Sequence, residues 1–289
     1  MKPSESVFVD IRGLRYHCRS WGDAAHPKLF LLHGWMDVSA SFQFFVDALQ
    51  GDWHSIALDW RGYGLTQWSG ADSYWFPDYI ADLDAVLARF SPQQPVNLLG
   101  HSMGGNVASL YSGVRPERVA KLVNLEGFGL RGNAPDQAPE RYGKWLAELG
   151  EPQRFRDYAS MQHLAKRLRQ SNPRLAPDRA AFLAHHWGIP TPEGRVGLRS
   201  DPAHKRVNPV LYRIEEAEAC WRKVKAPVLW VEGAESETLK HLRIDLSAYE
   251  ARKRCFAALT AHTLADAGHM VHHDQPEALA RIVEDFLLR

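Results

Sequence analysis

The sequence has few cysteines and no excess of charge of either sign. Its three cysteines, Cys18, Cys220 and Cys255, are odd in number and lack the spacing of metal ligands. They argue against a disulfide framework and favour buried thiols in a reducing compartment. The 35 basic and 34 acidic side chains nearly cancel. No field of one sign therefore indicates a nucleic acid or an anionic membrane as partner.

Long apolar segments are also missing. No window approaches the roughly 18 continuous apolar residues of a membrane-spanning helix, and the first six residues contain no apolar signal core. We therefore expect a soluble, cytoplasmic protein with no membrane partner. The apolar fraction of 45% over 289 residues is ordinary for a globular protein and is sufficient for the core of a large α/β domain.

The chain is organised around Gly100–Gly105, whose sequence is Gly-His-Ser-Met-Gly-Gly. The apolar residues before it are typical of a buried strand, and residues 106–112 fit a helix with one apolar stripe. A serine at such a strand–helix turn needs small neighbours, because a Cβ there would collide with the adjacent strand or helix. Gly100 and Gly104 supply that space. The pattern therefore predicts Ser102 as a nucleophile.

Strands and helices alternate along most of the chain, which is typical of a parallel sheet with helices on both faces. We expect a hairpin at 7–18, strands at 28–34, 54–59, 95–100, 119–125, 227–232 and 255–259, and helices at 41–49, 79–90 and 276–288. The alternation stops at about residue 128, and residues 128–221 contain helix-like segments without a convincing strand. We therefore predict a helical cap at 128–221, inserted into one core made of residues 1–127 and 222–289.

A serine hydroxyl becomes a good nucleophile when a base takes its proton and an acid orients that base. The best candidate for the base is His269, in a loop between the last strand and the last helix, at the carboxyl edge of the sheet. His272 and His273 are alternatives, but they lie nearer the helix and lack a preceding glycine. A metal cluster of His269, His272 and Asp274 is a weaker alternative, since no further ligand accompanies it.

The acid is less clearly marked. It should follow the strand at 227–232, where the sequence offers Glu232, Glu235 and Glu237. We favour Glu237, because it can begin the next helix while projecting over the edge of the sheet. The alternative is Glu126, which ends the strand at 119–125 and lies at the same edge.

Attack on a carbonyl also requires backbone N–H donors for the developing oxyanion. The residue after the nucleophile, Met103, supplies one donor. The loop after the third strand supplies the other, Trp35, just beyond His33 and Gly34.

These motifs resemble those of the α/β-hydrolase-fold serine hydrolases, and they occur in that family's order over most of the core. They are His33-Gly34-Trp35, Asp59–Gly64, Gly100–Gly105 and Gly268-His269. The segment Leu32–Asp37 particularly resembles the serine-hydrolase-like branch. The resemblance implies an eight-stranded, mostly parallel sheet with helices on both faces, a helical cap over the elbow, and no cofactor or metal.

The resemblance also bears on the acid. The family's usual acid position falls on Ser236 in this chain, one residue before Glu237. A related branch places the acid after the sixth strand, where Glu126 stands.

The activity implied by the resemblance is hydrolysis of a small, apolar ester through a Ser–His–acid triad and an acyl-enzyme. Dehalogenases and epoxide hydrolases are excluded, because they need an aspartate where this chain has Ser102. A carbon–carbon bond hydrolase or a lactonase would use the same residues, and a slowly hydrolysing ligand receptor is the alternative from another class. Five apolar side chains of the insertion are expected to line the pocket, and the alternative is that most of them form a core within the insertion: Trp145, Phe155, Tyr158, Met161 and Trp187.

Overall fold

The structure is a computed structural model that describes residues 1–289. Its ten strands are Glu5–Ile11 (β1), Leu14–Trp21 (β2), Lys28–Leu32 (β3), His54–Leu58 (β4), Val96–His101 (β5), Val119–Leu125 (β6), Gly188–Pro190 (β7), Val196–Leu198 (β8), Val228–Gly233 (β9) and Leu259–Leu264 (β10). Eight of them form one sheet in the order β1-β2-β4-β3-β5-β6-β9-β10. The pairs β1–β2 and β2–β4 are antiparallel and the other pairs are parallel, so the predicted sheet is confirmed.

Eleven helices accompany the strands. They are Gln43–Ala48 (α1), Phe76–Phe90 (α2), Met103–Val114 (α3), Ala138–Leu149 (α4), Met161–Ser171 (α5), Pro177–Trp187 (α6), Ile214–Trp221 (α7), Thr238–Leu242 (α8), Leu246–Lys253 (α9), Val271–Asp274 (α10) and Pro276–Leu288 (α11). None of them combines the length and the apolarity that crossing a membrane requires.

The central strands are buried on both faces, because helices cover both sides of the sheet. Phe30 and Leu32 of β3 belong to one apolar core, which they share with α2, α3 and α7. Leu29 and Leu31 alternate with them and belong to the second core, on the side of α1 and α11. The continuous apolar runs in the sequence follow from this two-sided burial.

The prediction of a strand at 255–259 is wrong. Cys255 and Phe256 follow α9 in a turn, and β10 begins only at Leu259. Phe256 is apolar because it packs on Trp230 within the core. Since β10 is an edge strand whose residues are mostly exposed, it lacks the apolar run by which the other parallel strands are found.

The inserted region between β6 and β9 contains the helices α4, α5 and α6, in agreement with the expected helical segments. It also contains the short β7–β8 hairpin, which was not predicted from the sequence. Helix α7 packs on α3 instead, so closely that a Cβ on Gly113 would lie 1.9 Å from the carbonyl oxygen of Cys220. Phe128 likewise packs on Trp230 in the main core. The packing therefore assigns Phe128 and α7 to the core, and the proposed cap shortens to the residues between them.

Candidate active site

Ser102 lies at the turn between β5 and α3 with a φ of 52°, in the left-handed region that a serine rarely adopts. Its neighbours leave no room for larger residues. A Cβ on Gly104 would lie 2.1 Å from the carbonyl oxygen of Leu32, and one on Gly100 would lie 2.4 Å from that of Gly104. The glycines thus allow β5 to turn directly into α3 and hold Ser102 in a strained conformation at the apex.

We expect Gly104→Ala to destabilise the protein by about 1–3 kcal/mol or more, because the new methyl group collides with the backbone of β3. Gly143→Ala is the matched control, since Gly143 lies within α4 and nothing approaches its Cβ position within 4 Å. The control should be neutral or stabilising by up to about 1 kcal/mol. Denaturant unfolding of both variants measures the difference, and equal stabilities would contradict this account of the turn.

His269 lies in the loop after β10, as predicted, and faces Ser102. Its Nε2 is 3.0 Å from the Ser102 Oγ, and its Nδ1 is 3.1 Å from the Oε2 of Glu126. The carboxylate can only accept a hydrogen bond, so it keeps the imidazole proton on Nδ1. The lone pair of Nε2 is then directed at the serine hydroxyl, which is the arrangement a general base requires.

Glu126 follows the last residue of β6 with a φ of 57° and is 1% exposed. Its Oε1 accepts a hydrogen bond from the backbone N–H of Gly233, at 2.8 Å. Its Oε2 accepts hydrogen bonds from the hydroxyls of Ser236 and Thr238, at 2.5 and 2.9 Å. The loop after β9 therefore fixes the carboxylate of a neighbouring strand instead of supplying one.

The hydroxyl of Thr238 also touches the base directly. Its Oγ1 is 2.8 Å from the Nδ1 of His269. The Thr238 hydroxyl donates its proton to Glu126, so toward His269 its oxygen acts as an acceptor. The Nδ1–H of His269 is therefore shared between the Thr238 oxygen and the Glu126 carboxylate. Sequence reasoning missed this residue. The available signal was that hydroxyl residues, Ser236 and Thr238, stand where the related enzymes have an acid.

The structure does not bring Glu237 to His269, and the preference for Glu237 is corrected in favour of Glu126. The Glu237 side chain lies at the rim of the cleft, is 60% exposed, and has its Oε1 3.1 Å from the Nζ of Lys240. The hydrogen bond and charge of Lys240 lower the pKa of Glu237. The loop after β9 ends in a turn whose inward positions are Ser236 and Thr238, so Glu237 is left on the solvent side.

The predicted oxyanion donors both lie beside Ser102. The backbone N–H groups of Trp35 and Met103 have no hydrogen-bond partner in the protein, and both residues line the same cleft as Ser102. A Cβ on Gly34 would lie 3.2 Å from the Cβ of Ser102, so this loop runs against the serine. Buried His33 fixes the loop, since its Nδ1 donates to the Gly34 carbonyl oxygen at 2.7 Å.

The cleft above Ser102 has a volume of about 1170 Å³. Aromatic side chains from the core and from its connections to the cap form much of its apolar lining: Trp35, Tyr74, Trp75, Phe76, Tyr79, Phe128 and Tyr212. The five cap residues expected to line the pocket do not do so. Tyr158, Met161 and Trp187 pack around a small separate cluster, formed by apolar residues of the insertion and by Phe44 of α1, which explains their apolar character.

One group of side chains has the composition of a metal site. Ligand atoms of the buried residues Asp37, His101 and His272 lie within 4.8 Å of one another, beneath the elbow. The alternative group of His269, His272 and Asp274 is not assembled, because Asp274 binds the side chain of Asn172 and the N–H of Gly268.

His101 also connects this group to the candidate base. Its Nε2 donates to the carbonyl oxygen of His269 at 2.8 Å, and burial holds its pKa well below the usual range. The neutral His101 imidazole thus ties the His269 loop to the end of β5.

Known proteins resemble this chain in sequence over most of its length. A family model described as alpha/beta hydrolase fold matches residues 27–276. A serine hydrolase-like protein of Danio rerio is 25% identical over 276 residues, which span 92% of this chain and 83% of the relative. The 3-hydroxybutyrate-oligomer hydrolase of Cupriavidus necator is 29% identical over 281 residues, or 92% and 90% of the two chains.

Solved structures show the same fold over nearly the whole chain. The structure of a hypothetical protein from Pseudomonas aeruginosa PAO1 has a TM-score of 0.86 at 25% identity, and the match covers 99% of this chain and 100% of that one. The resemblance predicted from the motifs is confirmed. The chain belongs to the α/β hydrolase fold family.

Proposed function

We propose that this protein hydrolyses ester bonds in small molecules, with Ser102 as nucleophile, His269 as general base and acid, and Glu126 as the acid that orients His269. One observation carries the proposal. The Ser102 Oγ is 3.0 Å from Nε2 of His269, and Nδ1 of the same ring is 3.1 Å from the buried Glu126 carboxylate. These three groups have the connectivity of a serine-hydrolase triad.

In the first half of the reaction, the Ser102 Oγ attacks the carbonyl carbon and its proton passes to Nε2 of His269. The carbonyl oxygen becomes an oxyanion, which the free N–H groups of Trp35 and Met103 stabilise. The tetrahedral intermediate then collapses, the bond to the alcohol oxygen breaks, and His269 gives its proton to that oxygen. The alcohol leaves, and the acyl group remains on Ser102 as an ester.

In the second half, water attacks the acyl-enzyme carbonyl and loses a proton to Nε2 of His269. The second tetrahedral intermediate expels the Ser102 oxygen, which takes the proton back from His269. The products are a carboxylic acid and the free enzyme. Throughout, the buried Glu126 side chain accepts the hydrogen bond from Nδ1 and stabilises the imidazolium that forms twice per turnover.

The relatives support a hydrolase of this class. The motifs resemble those of a branch whose members are named serine hydrolase-like. A relative that aligns with nearly the whole chain is named a 3-hydroxybutyrate-oligomer hydrolase. Oligomers of a hydroxy acid are joined by ester bonds, so the similarity favours an ester over a carbon–carbon bond. The aromatic lining of the cleft is suited to the apolar part of such a substrate.

A panel of p-nitrophenyl esters of increasing acyl length tests the proposal. We expect release of p-nitrophenol with a rapid first turnover, and an optimum at an acyl length that the cleft accommodates. A β-diketone and a lactone measured in parallel cover the two other reactions open to the same triad. Turnover of the β-diketone with none of the esters would contradict ester hydrolysis, whereas turnover of the lactone alone would restrict the activity to cyclic esters. Binding of the esters without turnover would instead indicate a receptor.

The hydroxyl of Thr238 is expected to assist the triad. Thr238→Val removes one hydrogen bond to His269 and one to Glu126, and we expect kcat to fall about tenfold, since each such bond contributes about 1 kcal/mol. Thr238→Ser is the control, because it retains the hydroxyl and should retain most of the activity. Equal kcat values for the valine and serine variants would show that the hydroxyl does not act on the base.

A further inference from the structure

One wall of the cleft carries positive charge that the protein does not neutralise. This wall is formed where the segment at 131–141 meets residues 206–212, and the backbone N–H of Asn133 donates to the carbonyl oxygen of Tyr212 at 2.9 Å. Three arginines of the wall line the cleft together with Ser102: Arg131, Arg141 and Arg206.

Arg141 is held in place by neutral groups. Its Nη1 donates to the carbonyl oxygen of Asn208 and its Nη2 to the Oδ1 of Asn133, both at 3.1 Å. No carboxylate pairs with it, as every ion pair within 4.0 Å involves other residues. These two bonds fix the guanidinium but leave its other N–H donors free.

The other two arginines add to this charge. Arg206 has a buried Nε without any hydrogen-bond partner, and the nearest carboxylate, that of Asp72, is 4.0 Å from its Nη1 and largely exposed. Arg131 is exposed and forms no ion pair within 4.0 Å. Within 4.0 Å, these three guanidinium groups meet only one carboxylate, that of the exposed Asp72, whose charge is screened by solvent.

The other guanidinium group of the cleft is compensated by a carboxylate. Arg174 pairs with Glu235, and Glu237 pairs with Lys240. His204 adds no charge, since burial lowers its pKa to about 3. The unpaired guanidinium groups of the cleft are thus confined to the wall with Arg141.

Building on the proposed ester hydrolysis, we infer that the substrate is an ester with a carboxylate at the end remote from the scissile bond, and that Arg141 binds this carboxylate with Arg131 and Arg206 alongside. A guanidinium matches a carboxylate because two parallel N–H donors can meet its two oxygens. The aromatic residues Tyr74, Phe76 and Tyr212 line the same cleft and would contact the apolar chain that joins the two ends.

The test compares two substrates that differ only in charge. They are the mono-p-nitrophenyl ester of adipic acid and its analogue in which the free carboxylate is replaced by a carboxamide. We expect kcat/KM to be about tenfold or more higher for the carboxylate substrate at low ionic strength, and the ratio to decrease with added salt. In Arg141→Gln the ratio should fall close to one. Arg222→Gln is the matched control, because Arg222 pairs with Glu218 away from the cleft and should keep the wild-type ratio.

A wild-type ratio at or below one overturns the inference, as does a ratio in Arg141→Gln equal to that of the wild type. Calorimetric binding of adipate and of adipamide to Ser102→Ala keeps this test separate from catalysis. If neither ester is cleaved, the proposed hydrolysis fails. In that event, preferential binding of adipate that Arg141→Gln removes still supports the anion site, and equal binding of the two compounds overturns it.

Discussion

Replacing Ser102 by alanine is expected to reduce ester turnover by about a millionfold, as loss of the nucleophile does in other serine hydrolases. No other hydroxyl lies within hydrogen-bond distance of the Nε2 of His269, so nothing can replace the lost Oγ. The variant should fold normally, since alanine fits the space of serine at the turn. Initial rates with the best ester of the panel measure the effect.

The control for this change is Ser112→Ala on the same helix. The Ser112 hydroxyl donates only to the carbonyl oxygen of Ala108, one turn earlier in α3, so its loss should leave turnover near the wild-type value. Circular dichroism and denaturant unfolding establish that both variants are folded. If Ser102→Ala retained even a tenth of the wild-type rate, Ser102 would not be the nucleophile.

Glu126→Gln is expected to lower kcat by about 10,000-fold, the effect of replacing the triad acid by its amide in other serine hydrolases. The amide is close to the carboxylate in shape, but it carries no charge to stabilise the imidazolium. Its NH2 group can also impose the wrong tautomer on His269. Glu237→Gln should remain within about twofold of the wild type, because that side chain is exposed and contacts Lys240 instead of the base.

The two variants together decide the identity of the acid. Both replace a glutamate that lines the same cleft, and only Glu126 is in contact with His269. Since Glu126 also binds Gly233, Ser236 and Thr238, unfolding of each variant must be measured beside its kinetics. A large loss in Glu237→Gln with an active Glu126→Gln would reverse the assignment.

The parts of the fold that the sequence predicted well are those that impose a steric or burial requirement on each residue. Gly100 and Gly104 are small because backbone atoms lie within about 2.5 Å of where a Cβ would stand. Residues 29–32 of β3 are continuously apolar because both faces of the strand are buried there. Such requirements restrict which residue types can occupy a position. The elbow, the parallel sheet and the position of His269 could therefore be predicted from the sequence.

The errors share a different cause. An exposed edge strand such as β10 forms without a run of apolar residues. A buried turn such as that at Phe256 contains apolar residues although it is not a strand. The apolar residues of the cap pack against one another, and no periodicity distinguishes that packing from the lining of a pocket. The choice between Glu126 and Glu237 depended on how the loop after β9 turns relative to β6. That turn brings Ser236 into contact with Glu126, which lies 110 residues earlier in the chain. The spacing of motifs along the sequence does not predict such a contact.

The central claim is that Ser102 carries the acyl group during turnover. Its most direct test is a rapid acid quench of the enzyme with a p-nitrophenyl ester, followed by mass spectrometry of the intact protein and of its peptides. We predict one added acyl group per chain, located on the peptide that contains Ser102, accumulating in the first turnover and absent from Ser102→Ala. Turnover without an adduct, or an adduct on another residue, would contradict the mechanism.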